Sequence, residues 1–164
     1  MSDADKQRLF EQVVESSRRQ IFAVAKGFAH PDDRADLCQD ILLQIWKNLG
    51  SFEGRAAPST WVYRVALNTA ISYRRRIGRQ VEALCRPLEG SGADPSVPAG
   101  TGNELFLLEE FLRTLGKIDR AVFLLYLDDL SYRQIAEVTG LSENRVGVRI
   151  NRLKKSFVSQ YCGG

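Results

Sequence analysis

The most informative chemistry lies in residues 131–155, where two predicted helices flank a short turn. Ser131 is a favourable N-cap for a helix over 132–138, and Gly140 can adopt the positive φ with which many helices end. Ser142 is the corresponding N-cap for a final basic helix. A helix, a glycine-containing turn and a capped basic helix form the pattern of a helix-turn-helix.

The final helix carries side chains suited to DNA. Asparagine and arginine make bidentate contacts with adenine or guanine in the major groove, and lysines and the helix N-terminus bind phosphates. Residues 143–155 contain five basic residues and one acidic residue. The alternative is a solvated basic face on a helical bundle, but the coincidence of cap, turn and charge favours DNA binding. The candidate contacts are Asn144, Arg145, Arg149, Lys154 and, for phosphate, Lys155.

A second candidate surface lies on the helix predicted from about Thr60. It combines aromatic, amide and cationic side chains, which suit single-stranded nucleic acid because bases stack and the backbone is neutralised. Trp61 is more typical of a core position, whereas Asn68 fits an exposed helix face equally well. The arginines are expected to contact phosphate. The residues are Trp61, Tyr63, Arg64, Asn68, Ser72, Tyr73, Arg74, Arg75 and Arg76.

Acidic and amide residues recur on one face of an earlier helix, with i, i+3, i+4 and i+8 spacing. They are Asp36, Gln39, Asp40 and Gln44. A metal site would need a second cluster of ligands, which this stripe lacks. The stripe is either a solvated face or a docking site for a basic helix of another protein, and periodicity alone favours the solvated face.

Cysteine and histidine usage argues against metal binding and catalysis. Cys38, Cys85 and Cys162 form no C-x-x-C pair, and the single histidine, His30, is close to none of them. A structural zinc site needs about four nitrogen or sulfur ligands at short spacing. His30 lies in a turn-like Ala-His-Pro setting that would hold a catalytic base loosely. We therefore expect no enzyme activity, no metal and no cofactor.

The elements that position these residues are predicted to be helices. The chain has 164 residues, of which 44% are apolar and 26% charged, a folded rather than disordered balance. Neither half shows the period-2 alternation of strands, so we predict an all-α protein. Residues 86–103 hold three prolines and four glycines, which predicts a flexible linker. The predicted domains are 1–85 and 104–164.

Apolar residues at helical spacing indicate the inward faces of the first three helices. These residues are Val14, Ile21, Phe22, Ala25 and Phe28 in the first helix, Leu37, Ile41, Leu42, Ile45, Trp46 and Leu49 in the second, and Trp61, Val62, Val65, Ala66, Ala70 and Ile71 in the third. The N-terminus is polar and acidic, and no stretch approaches the roughly 20 apolar residues of a membrane span. We therefore expect a cytoplasmic protein with no membrane insertion.

The longer motifs around these residues follow a recognisable order. In the first half they are Asp36-Leu-Cys-Gln-Asp-Ile-Leu-Leu-Gln-Ile-Trp46, Phe52-Glu-Gly, Thr60-Trp-Val-Tyr-Arg-Val-Ala-Leu-Asn68 and Arg74-Arg-Arg; in the second half they are Leu130-Ser-Tyr-Arg-Gln-Ile-Ala-Glu-Val-Thr-Gly-Leu-Ser-Glu-Asn-Arg-Val146 and Val148-Arg-Ile-Asn-Arg152. These motifs resemble regions 2 and 4 of the extracytoplasmic-function (ECF) sigma factors. The resemblance covers nearly the whole chain, including the linker.

The resemblance implies a transcription-initiation subunit of bacterial RNA polymerase, with core polymerase and promoter DNA as partners. The stripe Asp36, Gln39, Asp40 and Gln44 would dock on the clamp helices of core polymerase, which replaces the solvated-face interpretation. The linker would thread through polymerase channels. Members of the family are commonly held by an anti-sigma factor, so such a partner is expected here too.

The resemblance also implies two promoter contacts. The loop over 50–59 and the start of the next helix would capture a flipped base of the melted −10 element, and the helix-turn-helix would read the duplex −35 element. The implied −10 contacts are Phe52, Gly54, Ser59, Trp61, Arg64, Asn68, Tyr73, Arg74, Arg75 and Arg76. The implied −35 contacts are Ser142, Asn144, Arg145, Arg149, Arg152, Lys154 and Lys155.

Three residues depart from the family pattern. Pro58 replaces a common aromatic residue in the base-capture loop, and Leu67 replaces a commonly basic residue. Gly147 lies inside the recognition helix, where it costs about 1 kcal/mol relative to alanine or allows close approach to DNA. The main alternative function is a stand-alone helix-turn-helix regulator, which would bind a duplex operator by itself, usually as a dimer. An RNA-binding or adaptor protein is a third class.

Overall fold

The structure, a computed structural model, describes residues 1–83 and 102–163, with side chains described for 1–73 and 103–163. The helices are α1 (Asp3–Phe28), α2 (Arg34–Asn48), α3 (Pro58–Ala83), α4 (Gly102–Thr114), α5 (Lys117–Leu127), α6 (Tyr132–Thr139) and α7 (Glu143–Tyr161). Short 3-10 turns, Pro31–Asp33 and Leu49–Ser51, flank α2. The all-α prediction is confirmed. Most of the predicted linker lies outside the described residues, and its last two residues begin α4.

Helices α1, α2 and α3 pack together into an N-terminal bundle. Helix α1 begins at a capping box, because the Ser2 hydroxyl accepts from the Asp5 backbone and the Asp5 carboxylate accepts from the Ser2 backbone. The fully buried residues include Val24, Leu37, Ile41, Ile45, Val62 and Ala66. The inward prediction for Phe22 is wrong: its side chain is 57% exposed. Ile21 and Val24 already define the buried stripe, and Phe22 lies about 100° around the helix from Ile21.

Helices α4 to α7 form a second bundle around a core that includes Phe111, Leu125, Ile135 and Ile150. The predicted caps of the helix-turn-helix are confirmed. Ser131 forms a capping box with Gln134, and the Ser142 hydroxyl accepts from the Arg145 backbone. Gly140 ends α6 with φ of 80°, the left-handed conformation that glycine adopts without strain. None of the described helices is long and apolar enough to span a membrane.

The guanidinium of Arg120 joins the two bundles. Its Nη1 donates to the Gly27 carbonyl at 3.3 Å, and its Nη2 donates to the carbonyls of Arg113 at 2.9 Å and Leu115 at 3.3 Å. These carbonyls lie at the C-terminal ends of α1 and α4, where backbone acceptors lack helical partners and carry partial negative charge. Arg120 is only 3% exposed, and its guanidinium carbon is 5.5 Å from the centre of the Phe28 ring.

Glycine allows α1 to approach α5 closely at this junction. A Cβ atom on Gly27 would lie 2.5 Å from Cδ1 of Leu124, closer than real Cβ contacts. The absence of a side chain at Gly27 therefore lets the C-terminal turn of α1 pack directly on α5, and it leaves the Gly27 carbonyl within reach of Arg120.

Replacing Arg120 with alanine should lower the free energy of unfolding by about 2–4 kcal/mol, because three carbonyls at two helix ends lose a charged donor in a buried site. Urea unfolding followed by far-ultraviolet circular dichroism measures the loss. Arg113→Ala is the matched control, because this exposed side chain should change stability by less than about 0.5 kcal/mol. Equal effects of the two substitutions would contradict the proposed role of the buried guanidinium.

Candidate functional site

The polar stripe on α2 faces away from the bundle core. Asp36 and Gln39 are exposed, and Asp40 and Gln44 are half-buried. Leu37, on the opposite face, has no exposed surface. The periodicity of α2 therefore presents carboxylate and amide groups at the surface, where a partner with basic side chains could bind them.

An open groove of about 540 Å³ separates this stripe from α3. The lining residues are Asp40, Leu43, Gln44 and Lys47 from α2, and Asn68, Thr69, Ser72 and Tyr73 from α3. Candidate polymerase contacts and candidate promoter contacts thus share one groove. Because the two sets of residues are more than 20 positions apart in the chain, the sequence alone did not predict that they would lie side by side.

The candidate base-capture loop is held against the start of α3 by two aromatic rings. The centres of the Phe52 and Trp61 rings are 5.2 Å apart, with 51° between the ring planes. Gly54, at the exposed tip of the loop, has φ of 70°. Pro58 is the first residue of α3, a position that proline favours because its missing N–H has no helical acceptor to bond. Ser59 follows it and is half-buried.

Two neighbouring residues of α3 contact the second bundle. The Tyr63 hydroxyl donates to Asp128, whose other carboxylate oxygen is 3.0 Å from Nη2 of Arg19. The exposed Arg64 donates through Nη2 to the backbone carbonyl of Glu137, in the last turn of α6. A guanidinium is favoured there because carbonyls near a helix C-terminus carry partial negative charge. Arg64, a candidate −10 contact, therefore binds protein in this arrangement.

Three residues of α3 with a place in the sequence-based interpretation are buried in the structure. Tyr63 is 1% exposed and Tyr73 is 7% exposed, so both side chains are almost entirely covered by protein in this structure. Leu67 is 4% exposed and belongs to the core, which explains an apolar residue where the family pattern is basic. Asn68 is exposed as predicted. The side chains of Arg74, Arg75 and Arg76 lie outside the described residues.

The recognition helix α7 divides its polar residues between solvent and α5. Four of these residues are exposed to solvent: Ser142, Asn144, Arg145 and Lys155. In contrast, Arg149 and Arg152 both donate to the carboxylate of Asp119. Nζ of Lys154 lies 5.2 Å from the centre of the Tyr126 ring, a cation–π distance, so this lysine packs on α5.

Comparison with known families decides what these two bundles are. The sequence profile described as Sigma-70 region 2 matches residues 13–93, and the profile described as Sigma-70, region 4 matches residues 105–157. The chain belongs to the sigma-70 family, in its ECF group. It is therefore an RNA polymerase sigma factor that acts in transcription initiation, and its helix-turn-helix is a region 4 DNA-binding motif.

Two curated relatives span most of the chain. The ECF RNA polymerase sigma-E factor of Escherichia coli (strain K12) is 28% identical over 165 aligned residues, covering 92% of this chain and 85% of the relative. The RNA polymerase sigma factor YlaC of Bacillus subtilis (strain 168) is 27% identical over 130 residues, covering 76% and 75%. The similarity extends across both bundles, as the motif order predicted.

Two solved structures share the fold of this sigma factor. One is the sigma factor RpoE in complex with the anti-sigma factor NepR from Bartonella quintana, with a TM-score of 0.76, 23% identity and coverage of 92% of this chain and 94% of that one. The other is CnrH in complex with the cytosolic domain of CnrY, with a TM-score of 0.69, 23% identity and coverage of 96% and 90%. At this identity the likeness establishes the fold.

Gly147 of this sigma factor lies against the ring of Tyr132 on α6. A Cβ atom at this position would lie 3.3 Å from Cε2 of Tyr132, which is tighter than most real contacts. The glycine therefore lets the Tyr132 ring of α6 pack on α7, and close approach to DNA is not needed to explain it. Close approach of α7 to DNA at Gly147 therefore stays a prediction that this contact does not test.

Sequence patterns alone did not predict the residues that connect the bundles. Asp128 and Arg120 belong to a short acidic segment and an apolar helix that showed no binding pattern of their own. Their partners, Tyr63 and Gly27, are 65 and 93 residues away in the chain. The one available signal was an arginine immediately before a nearly continuous apolar run, a position where a charge needs buried acceptors.

The pKa of the Tyr63 phenol lies well above the usual value of about 10. Burial is the main cause, and the hydrogen bond to Asp128 and the charge of that carboxylate add to it, while Arg19 opposes the shift. A raised pKa means that the folded state favours the protonated phenol. The contact therefore contributes fully to stability below pH 10, and its contribution is lost as the pH rises further.

The difference in tyrosinate absorbance between the wild-type protein and Tyr63→Phe isolates this phenol. In the folded protein, we expect the difference to show no ionisation through pH 10, because the buried phenol keeps its proton. In urea the same difference should titrate with a midpoint near pH 10, which provides the control. A midpoint near 10 in the folded protein would show that the Tyr63 phenol is not buried against Asp128 in solution.

Proposed function

We propose that this ECF sigma factor binds core polymerase through the polar face of α2 and contacts the promoter through two surfaces. The loop before α3, with Arg64, Asn68 and the arginines that follow, contacts the −10 element. The N-terminal part of α7, with Asn144 and Arg145, reads the −35 element. The observation that carries this proposal is that exposed Asp36, Asn68 and Arg145 lie on three different helices, with the α2 stripe adjoining α3 across a groove.

The division of the chain follows from the same proposal. Residues 1–85 bind core polymerase and open the −10 element. Residues 86–103 link this domain to residues 104–164, which read the −35 element. This role is non-catalytic and belongs in the cytoplasm, where polymerase acts. It needs no cofactor.

Simultaneous binding of both promoter elements requires the two bundles to separate. The −10 and −35 elements lie about 25 base pairs apart, a span of roughly 85 Å at 3.4 Å per base pair. A compact chain of this length has a radius of gyration of about 15 Å, too small for that span. The contacts of Tyr63 with Asp128 and of Arg64 with Glu137 must therefore break when polymerase and promoter bind. The free sigma factor holds Arg64 away from DNA.

An anti-sigma factor is the proposed regulatory partner. One solved structure with this fold holds the sigma factor RpoE in complex with the anti-sigma factor NepR, and another holds CnrH in complex with the cytosolic domain of CnrY. A protein that bound both bundles at once would favour the closed arrangement, because it could not stay bound when they separate. The polar α2 face and the α7 surface are the exposed regions that such a partner would have to cover to block initiation.

Reconstituted transcription tests the proposed function. Core polymerase with this protein should transcribe specific promoters from a random pool, whereas core polymerase alone should not. Tight binding of the protein alone to a palindromic duplex, with no effect of polymerase, would support a stand-alone regulator instead. Absence of promoter-specific transcription together with RNA binding would support the third class.

Three substitutions should each impair a different step. Asp40→Ala should weaken binding to core polymerase, because it removes an acceptor for basic side chains. Asn68→Ala should spare docking and reduce strand opening, measured with a fluorescent base analogue in the −10 element. Arg145→Ala should leave core affinity unchanged and weaken promoter binding by about 1–3 kcal/mol.

The controls for the two charge-changing variants, Asp40→Ala and Arg145→Ala, are Asp32→Ala and Arg18→Ala, which make the same charge changes at exposed side chains. Neither should alter docking, opening or −35 preference. Normal core binding by Asp40→Ala, combined with impaired core binding by Arg145→Ala, would reverse the assignment of the two bundles.

The anti-sigma proposal predicts that a protein captured from native cell extract blocks transcription when it is purified and added back. It should protect the α2 and α7 surfaces together in hydrogen exchange, because both lie in its interface. A captured protein that binds without inhibiting transcription, or capture of polymerase alone, would argue against such a partner.

A further inference from the structure

We propose that Asp119 is a positioning residue that sets the base preference of the helix-turn-helix by holding Arg149 and Arg152. The inference rests on the proposed reading of the −35 element by α7. Asp119 belongs to α5, outside the helix-turn-helix elements α6 and α7. Neither the charge pattern nor the resemblance assigned it a role.

One carboxylate binds both arginines. Oδ1 of Asp119 accepts from Nη1 of Arg149, and Nη2 of Arg152 lies 2.9 Å from both Oδ1 and Oδ2. Arg149 and Arg152 are three residues apart on α7, so they project from the same side of the helix. Asp119 therefore orients two adjacent guanidinium groups together.

The carboxylate is itself well placed to do this. It lies in the first turn of α5, where the partial positive charge of the helix N-terminus stabilises an anion. Its side chain is 23% exposed, while those of Arg149 and Arg152 are 32% and 58% exposed. The Asp119 carboxylate is thus more buried than the two guanidinium groups that it binds. Its position in the first turn of α5 fixes it, while the guanidinium groups remain partly exposed to solvent.

Each guanidinium keeps donors that can contact DNA. Arginine has five N–H donors in a fixed fork, and the contacts with Asp119 use one nitrogen of each side chain. A guanidinium fixed at one nitrogen presents the others in a restricted set of directions, which suits bidentate binding to guanine. Without the carboxylate, long flexible side chains would bind any nearby phosphate, because phosphate contacts carry no sequence information.

Charge leads to the same conclusion. Asp119 offsets one of the two positive charges at this position, so it lowers the general attraction to the DNA backbone. Its carboxylate would also be repelled by phosphate wherever the arginines do not lie between them. Asp119 should therefore decrease non-specific affinity while it increases discrimination among bases.

The test compares Asp119→Asn with the wild-type protein, each assembled with core polymerase. The first measurement is base preference at the −35 element, from a pool of promoters randomised there. We expect discrimination to fall at least about fivefold at one or more positions, the effect of one weakened bidentate contact. The second is the affinity of the full chain for a labelled duplex of mixed sequence at several salt concentrations. We expect tighter binding and a slope of log affinity against log salt that is steeper by about 1.

Asp129→Asn is the matched control. It makes the same charge change at an exposed residue, and asparagine tolerates the φ of 60° found there. This variant should retain the wild-type base preference. In addition, Asp119→Asn should have no further effect on preference when Arg149 and Arg152 are both glutamine, because Asp119 acts through them.

A second variant, Asp119→Glu, keeps the charge and moves the carboxylate by one methylene group. It should change the base preference but leave the slope of log affinity against log salt unchanged. If Asp119→Asn fails to fold, this variant still tests whether Asp119 sets the base preference. Wild-type preference in both variants, even with lower thermal stability, would show that Asp119 only fastens α5 to α7. Failure of the wild-type protein to select any promoter would instead contradict the proposed function.

Discussion

The arrangement of this sigma factor depends on the burial of one positive charge. The Arg120 guanidinium is stabilised by carbonyls at the C-terminal ends of α1 and α4, groups that have no helical hydrogen-bond partners of their own. The guanidinium and the carbonyls stabilise each other, because a buried charge without acceptors, or buried carbonyls without donors, would raise the free energy of the folded state. Gly27 allows the close helix approach on which the contact depends. The two bundles therefore meet in one defined orientation.

That orientation places candidate nucleic-acid contacts of the first bundle against the second. Tyr63 is buried on Asp128, and Arg64 binds the C-terminal turn of α6. Under the proposed function, a promoter contact of the open state thus stabilises the closed state when DNA is absent. In the proposed open state, phosphate or base takes the place of the carbonyl partner of Arg64, so the free-energy difference between the two states is smaller than the sum of the broken contacts.

In the helix-turn-helix, too, positively charged side chains of a candidate DNA-binding surface contact another part of the protein. Arg149 and Arg152 form ion pairs with α5, whereas Asn144 and Arg145 are exposed in the N-terminal turns of α7. Helical periodicity predicts which residues leave the core, but it does not separate a side chain that faces solvent from one that faces a neighbouring helix. Only the position of α5 makes that distinction.

The sequence by itself determined the helices, their caps and the family. Ser131, Gly140 and Ser142 act through local backbone geometry, and apolar periodicity reports burial within one helix, so both are visible in a short window. Tertiary structure decided what depends on residues far apart in the chain: the burial of Tyr63 and Tyr73, the groove between α2 and α3, and the junction at Arg120. These follow from packing between elements, since a buried charge or phenol is stabilised only by partners that folding brings to it.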